Sequence, residues 1–484
     1  MKEKKLAREK MKKRSGTAGM PEFAARLPDL ARKYDYLLLF IAVYLVYNTV
    51  SRMTMSGDTN PAAFLPLSLI LHQTLFFDAF VGTGLGPNVA YAFPQVNGHY
   101  VSLFPIVTPI LITPVYAVSY LLYSLFGVPF GTTDIMILAK TSASVIAALS
   151  CVFVYLAGKE LFSRKTALIT ASVYAFATST WAVSSQALWQ HGTVELLLIA
   201  LIWLILRNER ERSKYCIIAL GLLSGLFLFN RPPDAILLVP VAGYVAWYER
   251  ERLLLYAGSA AVTGLPFLAY NLSVFGNVFG GYKQNLDLFT FNPGFAGNFV
   301  SLLVAPNVGL LVFSPVLVLS VLGYLRVRTI SGDRIRNLLA AFGPAILAEI
   351  LLYSFFGLWY TSVSYSYGQR FLTGFVPVLA LFLGIALDDL LKPGQDESRA
   401  KAVRAVIVLL VAVSVIIQAT GVFFYPLYPD RSSDPGRVWD WSNSIIAGSW
   451  SYGISHIDSI TTYSFPPLPP LLHLGAGDTG QNPP

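Results

Sequence analysis

The chain is broken into many separate apolar runs of about 17–25 residues, each long enough to cross the hydrocarbon of a bilayer. Of its 484 residues 55% are apolar and only 13% charged, too few charges to solvate a large water-facing domain. In lipid every backbone N–H and C=O must be paired within its own segment, and a helix does that where a lone strand cannot. The expected fold is an all-α polytopic membrane protein. A soluble enzyme is excluded.

The formal charge of +8 is concentrated at the ends of the apolar runs. Lys2, Lys4, Lys5, Arg8, Lys10, Lys12, Lys13 and Arg14 all precede the first run, a pattern that belongs at an anionic cytoplasmic leaflet and not on nucleic acid. Residues 1–34 are therefore expected to be a cytoplasmic tail of a plasma-membrane protein, which fixes the direction of each later run. Residues 36–54 cross outward, 134–158 return to Lys159, Arg164 and Lys165, and nine further runs up to 404–424 alternate with basic loops inside. The layout is about eleven spans over 35–425, with a first outer loop at 55–101 and an extracytoplasmic tail at 426–484. Parity leaves no room for 101–127 as a simple span. This apolar stretch, interrupted by Pro105, Pro109 and Pro114, is expected to lie in the outer interface or to dip in and return.

Polar groups near span ends are costly unless paired or used, and in this layout they gather outside. Asp58, in "SGDTNP", reads either as a cap for the helix that starts near Pro61 or as a general base. Asn60 stands in the better capping position, which leaves Asp58 free to take a proton from a hydroxyl. "ALWQHG" puts Trp189, Gln190 and His191 at an outer span end, where they are either interfacial residues or a sugar platform with two hydrogen-bonding neighbours. Arg231 and Arg370 either snorkel to lipid phosphates or hold the phosphate of a lipid-linked substrate. Lys283, beside Tyr282, is a further candidate cation, and His99 and Asp78 share the first outer loop with Asp58. No two of His72, His99, Asp58 and Asp78 have helical metal-ligand spacing, so no metal is expected. Cys151 and Cys216 lie in apolar segments without metal-type spacing.

An acid in the first outer loop, a proline-rich apolar segment behind it, "LWQHG" midway and "GQRFL" before a late span together resemble the GT-C superfamily of membrane glycosyltransferases. That class contains the protein O-mannosyltransferases and the lipid A aminoarabinose transferases. The likeness runs from about residue 36 to 425. It implies a GT-C-like helical bundle whose first outer loop contains a juxtamembrane helix at "LFPIVTP", with Asp58 at the position of the catalytic acid. Leu188–Gly192 match an L-W-x-H-G pattern, and Trp359, Gly368, Arg370, Phe371 and Leu372 match a glycine–arginine–aromatic–leucine motif that follows a Trp. Thr361 and Ser362 replace the usual glycine pair, and a second acid beside the catalytic one is missing.

The resemblance implies transfer of a sugar, with inversion, from a polyprenyl-phosphate or, less often, pyrophosphate carrier to a hydroxyl of a glycan, lipid or protein on the outer face. Asp58 would be the base. Arg370, with Lys283 or Arg231, would stabilise the departing phosphate, which needs no second carboxylic acid and no cofactor. Segment 101–127 and the helices beside it would hold the prenyl tail. The rival class is a lipid-linked-sugar flippase or transporter, which predicts charges deep within the spans rather than at the outer side alone.

Overall fold

The computed structural model describes residues 33–50, 56–80, 91–127, 131–361, 366–392, 397–426 and 435–457. Most of the basic tail and residues 458–484 lie outside this set. The chain is built from α-helices: α1 Asp35–Tyr47, α2 Asn60–Leu67, α3 Val107–Leu125, α4 Thr132–Leu161, α5 Arg164–Phe176, α6 Gln190–Glu211, α7 Lys214–Asn230 and α8 Val239–Tyr248. There follow α9 Leu253–Phe275, α10 Phe295–Val304, α11 Val318–Arg326, α12 Asp333–Ser354, α13 Val376–Leu390, α14 Glu397–Phe424 and α15 Ile445–Ser455. Among the described residues the only named strands are a short antiparallel pair, β1 Gln95–Val96 with β2 His99–Tyr100.

Among the described residues seven helices are long and apolar enough to cross a membrane: Val107–Leu125, Asp134–Leu161, Gln190–Glu211, Arg250–Phe275, Asp333–Ser354, Thr373–Leu390 and Ala400–Phe424. Ion pairs mark one end of the bundle. Asp35 meets Arg164 at 2.7 Å and Lys159 at 3.8 Å, Arg210 meets Glu160 at 2.8 Å, Arg212 meets Glu249 at 2.9 Å, and Arg326 meets Asp389 at 3.4 Å. These gather the start of α1, the end of α4, the start of α5 and the ends of α6, α8, α11 and α13. Such exposed pairs add little stability each, but they bring these ends to one level. At the opposite end the Lys140 ammonium, in the third turn of α4, donates to the carbonyls of Tyr47 and Ser185 at 2.9 and 2.8 Å. Between these two levels α1, α5, α7, α8 and the 310–326 segment run as well, although they are shorter.

Segment 101–127 departs from its expectation in one respect. It is not broken by its prolines: residues 107–125 form one continuous helix. Pro109 falls in the first turn, where a missing N–H costs nothing, and only Pro114 removes an interior bond. Near its start the Thr108 hydroxyl contacts Thr193 at 2.9 Å and the Asn230 side chain at 2.8 Å. Further along, Tyr116 donates to the Ile135 carbonyl at 3.4 Å and Tyr123 to Asp134 at 2.8 Å. All four partners sit at the end of the bundle away from the ion pairs, so α3 lies across that end.

The start of the expected C-terminal tail is docked. Asn307 donates to the carbonyls of Arg437 and Asp440 at 2.7 and 3.3 Å and accepts from the Ile445 N–H at 2.6 Å.

Charges are not confined to loops and span ends. Lys140, Glu195 and Glu349 are buried within α4, α6 and α12, in the turns toward the end of the bundle away from the ion pairs.

Candidate active site

Asp58 stands in a tight turn ahead of α2. The Thr59 N–H donates to the Ser56 carbonyl at 3.1 Å, and the Ser56 hydroxyl donates to Asp58 Oδ1 at 2.9 Å. Neither Asp58 nor Asn60 caps the helix. Its N-cap is Thr59, and the buried Asn60 Oδ1 has no hydrogen-bond partner. Gly57 is required by a close approach: a Cβ there would lie 1.8 Å from the Tyr91 hydroxyl oxygen and 2.1 Å from its Cζ. The Tyr91 ring is thereby seated next to Asp58.

Arg370 arrives from the turn between α12 and α13. Gly368 adopts φ +84°, a left-handed conformation that favours glycine, and a Cβ there would meet the Phe313 ring at 2.7 Å. The Thr373 hydroxyl then donates to the Arg370 carbonyl at 2.9 Å. Arg370 Nη2 lies 3.2 Å from Asp58 Oδ2, and the guanidinium stacks 4.6 Å over the Trp189 ring and 5.0 Å from that of Phe371. Its remaining nitrogens, Nε and Nη1, are buried without a partner.

Trp189 is held in extended conformation just before α6. Only 3% exposed, with Arg370 over its face, it seats the arginine and offers no open platform to a sugar. His191 lies between Trp189 and Phe371, with ring centres 6.4 and 6.1 Å away, and its Nδ1 is unbonded. Arg231 leaves the end of α7 fully buried, ion-paired with Asp234 and 5.1 Å over the Tyr353 ring. Burial pushes the Asp234 carboxyl up, while Arg231 pulls the other way. Burial likewise raises the Tyr282 phenol.

These residues share one cavity of about 300 Å³, lined by Asp58, Tyr91, Phe104, Trp189, Gln190, His191, Arg231, Tyr282, Asn285, Phe356, Leu358, Thr361, Arg370 and Phe371. Four residues weighed from the sequence, Lys283, His99, Asp78 and His72, are not among its lining. Lys283 pairs with Asp287 at 2.7 Å on the surface, one residue past Tyr282, which does face the cavity. His99, in the β hairpin, pairs at 2.7 Å with Asp78 of the turn Asp78–Phe80, both half-exposed, and stacks on Phe76. His72 packs edge-on against Phe80. Among the described residues no three His, Cys, Asp or Glu side chains come together as metal ligands.

The sequence reading missed Tyr91 and Asn285. The glycine beside Asp58 was the only local sign of Tyr91, and Asn285 carried none.

Residues 111–273 match the family model described as dolichyl-phosphate-mannose-protein mannosyltransferase. This chain is similar to that mannosyltransferase family. The matched third of the chain carries "LWQHG" and Arg231, while Asp58 and Arg370 lie outside it. No protein of curated function matches the sequence. Among solved structures, ArnT from Cupriavidus metallidurans bound to undecaprenyl phosphate is 13% identical, with TM-score 0.48, covering 89% of this chain and 77% of that one. The same ArnT in the apo state gives 14% identity and TM-score 0.44 over 90% and 77%. The Archaeoglobus fulgidus oligosaccharyltransferase gives 13% and 0.48, covering 81% of this chain and 56% of that one.

Proposed function

We propose that the chain is an inverting glycosyltransferase that moves a sugar from a polyprenyl-phosphate carrier to a hydroxyl acceptor on the extracytoplasmic face of the plasma membrane. The observation that carries this reading is the contact of Asp58 with an Arg370 whose other donors are uncommitted. The acceptor oxygen attacks the anomeric carbon as its proton passes to Asp58. The bond from that carbon to the phosphate oxygen breaks, the electron pair stays on the phosphate, and the guanidinium neutralises the charge that develops.

Charge counting favours a phosphate diester over a pyrophosphate. Asp58 offsets Arg370, and Asp234 offsets Arg231. With no net positive charge left over, the donor is met by one guanidinium edge and the unbonded Asn285 amide, which accommodate the one negative charge of a diester more easily than the two of a pyrophosphate.

Besides the path expected along 101–127, a second groove suits the prenyl tail. A groove of about 510 Å³ between α8 and α12 is lined by Ile236, Val239, Pro240, Gly243, Leu338, Ala341, Pro344, Ala345 and Ala348, together with Tyr244, Tyr248 and Asn337. Its Ile236 and Ala348 end adjoins Asp234 and Glu349 in sequence, on the Arg231 side of the cavity.

The test incubates purified protein with a panel of radiolabelled polyprenyl-phosphate sugars and membrane extract, for wild type and Asp58→Asn. Transfer by wild type that is lost in the variant supports the reading. Equal transfer by both removes Asp58 as the base. No transfer, with a fluorescent lipid-linked sugar changing leaflet, replaces the reading by a flippase.

A further inference from the structure

Two fully buried glutamates, Glu195 and Glu349, do not line the cavity, and of the two only Glu195 has its carboxylate hydrogen-bonded. Glu195, in the second turn of α6, accepts hydrogen bonds from Tyr174 at 2.8 Å, from Thr180 at 3.1 Å and from Ser184. Its donors come from α5 and from the π-helical turn Thr180–Ser184 that precedes Trp189. The Thr373 hydroxyl gives its single proton to the Arg370 carbonyl at 2.9 Å, and its segment packs on α6 beside Glu195, where a Cβ at Gly374 would lie 2.9 Å from Val194. The turn of α6 that carries Glu195 thus adjoins both segments that converge on the cavity, the one leading to Trp189 and the one carrying Arg370. From the other side Lys140 grips the same π turn through the Ser185 carbonyl, and also holds Tyr47, the last residue of α1.

A buried charge is expensive unless each of its sites is paired. Apolar side chains of similar size would pack a helix interface at less cost, so satisfied charges at this junction fit a need for fixed geometry. The guanidinium must stay flat on Trp189 with one nitrogen at Asp58. A displacement of about 1 Å at such a group costs on the order of 10²-fold in rate.

We propose that Glu195 and Lys140 are positioning residues for the transfer, holding the π turn and, through the Thr373 segment, the Arg370 turn in the arrangement that presents the guanidinium to the donor phosphate. The inference rests on the glycosyl-transfer reading above.

The experiment measures kcat and donor KM by label transfer, with thermal unfolding in detergent, for wild type, Thr373→Val, Thr373→Ser, Glu195→Gln, Lys140→Met and Lys140→Arg. Thr373→Val is isosteric and leaves both charges in place. It is expected to lower kcat about tenfold while shifting KM less than threefold and leaving the unfolding midpoint near wild type, with Thr373→Ser restoring kcat. Glu195→Gln and Lys140→Met should lower kcat further, Lys140→Arg less so. If Thr373→Val matches wild type in kcat while wild type transfers sugar, the positioning role is overturned, and this holds even where the Glu195 and Lys140 variants fail to fold. The role is overturned as well if kcat losses track the fall in unfolding midpoint and neither Thr373→Ser nor Lys140→Arg recovers any. A wild type that transfers from no donor overturns the reading beneath the inference instead.

Discussion

The Arg370 guanidinium rests on the Trp189 indole at 4.6 Å, one of its nitrogens reaching Asp58 and two others buried without partners. A planar cation is held by stacking while its edge stays available, which an ammonium cannot imitate. Arg370→Lys is therefore expected to lose about 10²-fold in kcat/KM despite keeping the charge. Trp189→Leu removes the seat, and a cation–π contact of this desolvated kind is worth about 2 kcal/mol, or about thirtyfold. Both are read from initial rates of sugar transfer.

Asp58→Asn keeps the size of the side chain and its bond from Ser56 but cannot accept a proton. General-base catalysis contributes about 10²–10⁴-fold, so kcat should fall by that range while donor binding persists. Gly57→Ala tests the neighbouring contact. The new methyl would overlap the Tyr91 phenol, so the ring must leave the cavity wall, and donor or acceptor KM is expected to rise while Asp58 itself is intact.

The groove between α8 and α12 makes a chain-length prediction. A Cβ at Gly243 meets no atom within 4 Å, so a large side chain there enters open space without disturbing the fold. Gly243→Trp is expected to raise KM for a long-chain prenyl-phosphate sugar at least fivefold and to leave a two-isoprene analogue unaffected. Equal effects on both donors would place the tail elsewhere.

The fold class was legible because lipid restricts the backbone to helices, and because lysines and arginines mark one side of each run. The cavity was legible where chemistry sat in short motifs: Asp58, Trp189–His191, Arg231, Tyr282 and Arg370 line one wall. The errors came from side-chain direction, which a string of letters does not encode. Lys283 and Tyr282 are neighbours, yet only the tyrosine faces inward. Trp189 looked like a sugar platform because its ring face was read as free, whereas an arginine 181 positions later in the chain covers it. Lys140, Glu195 and Glu349 were readable as single charges inside apolar runs, the kind of residue that lipid does not tolerate idly.

The β hairpin supplies a pH test away from the cavity. Slight desolvation would raise the Asp78 carboxyl, but the hydrogen bonds from His99 and from the Tyr100 N–H outweigh it and hold it below the ordinary 3.8. A carboxylate lowered on folding stabilises the folded hairpin above its unfolded value, and that contribution is lost as pH falls through the lowered one. Hydrogen exchange at the Tyr100 amide, corrected for its intrinsic pH dependence, should be protected near neutrality and lose protection below about pH 4. In Asp78→Asn the protection should be pH-independent.

The Arg231–Asp234 pair separates stability from chemistry. Both side chains are fully buried, at 2% and 0% exposure, so removing one partner strands an uncompensated charge at a cost of about 3–5 kcal/mol. Asp234→Asn is therefore expected to lower the unfolding midpoint in detergent markedly. In Arg231→Met/Asp234→Leu both charges are gone and the packing is apolar, so the midpoint should return toward wild type. Arg231 lines the cavity, which means the double variant should recover its fold and not its transfer rate. Recovery of both would make the pair a purely structural element and leave Arg370 alone to meet the donor phosphate.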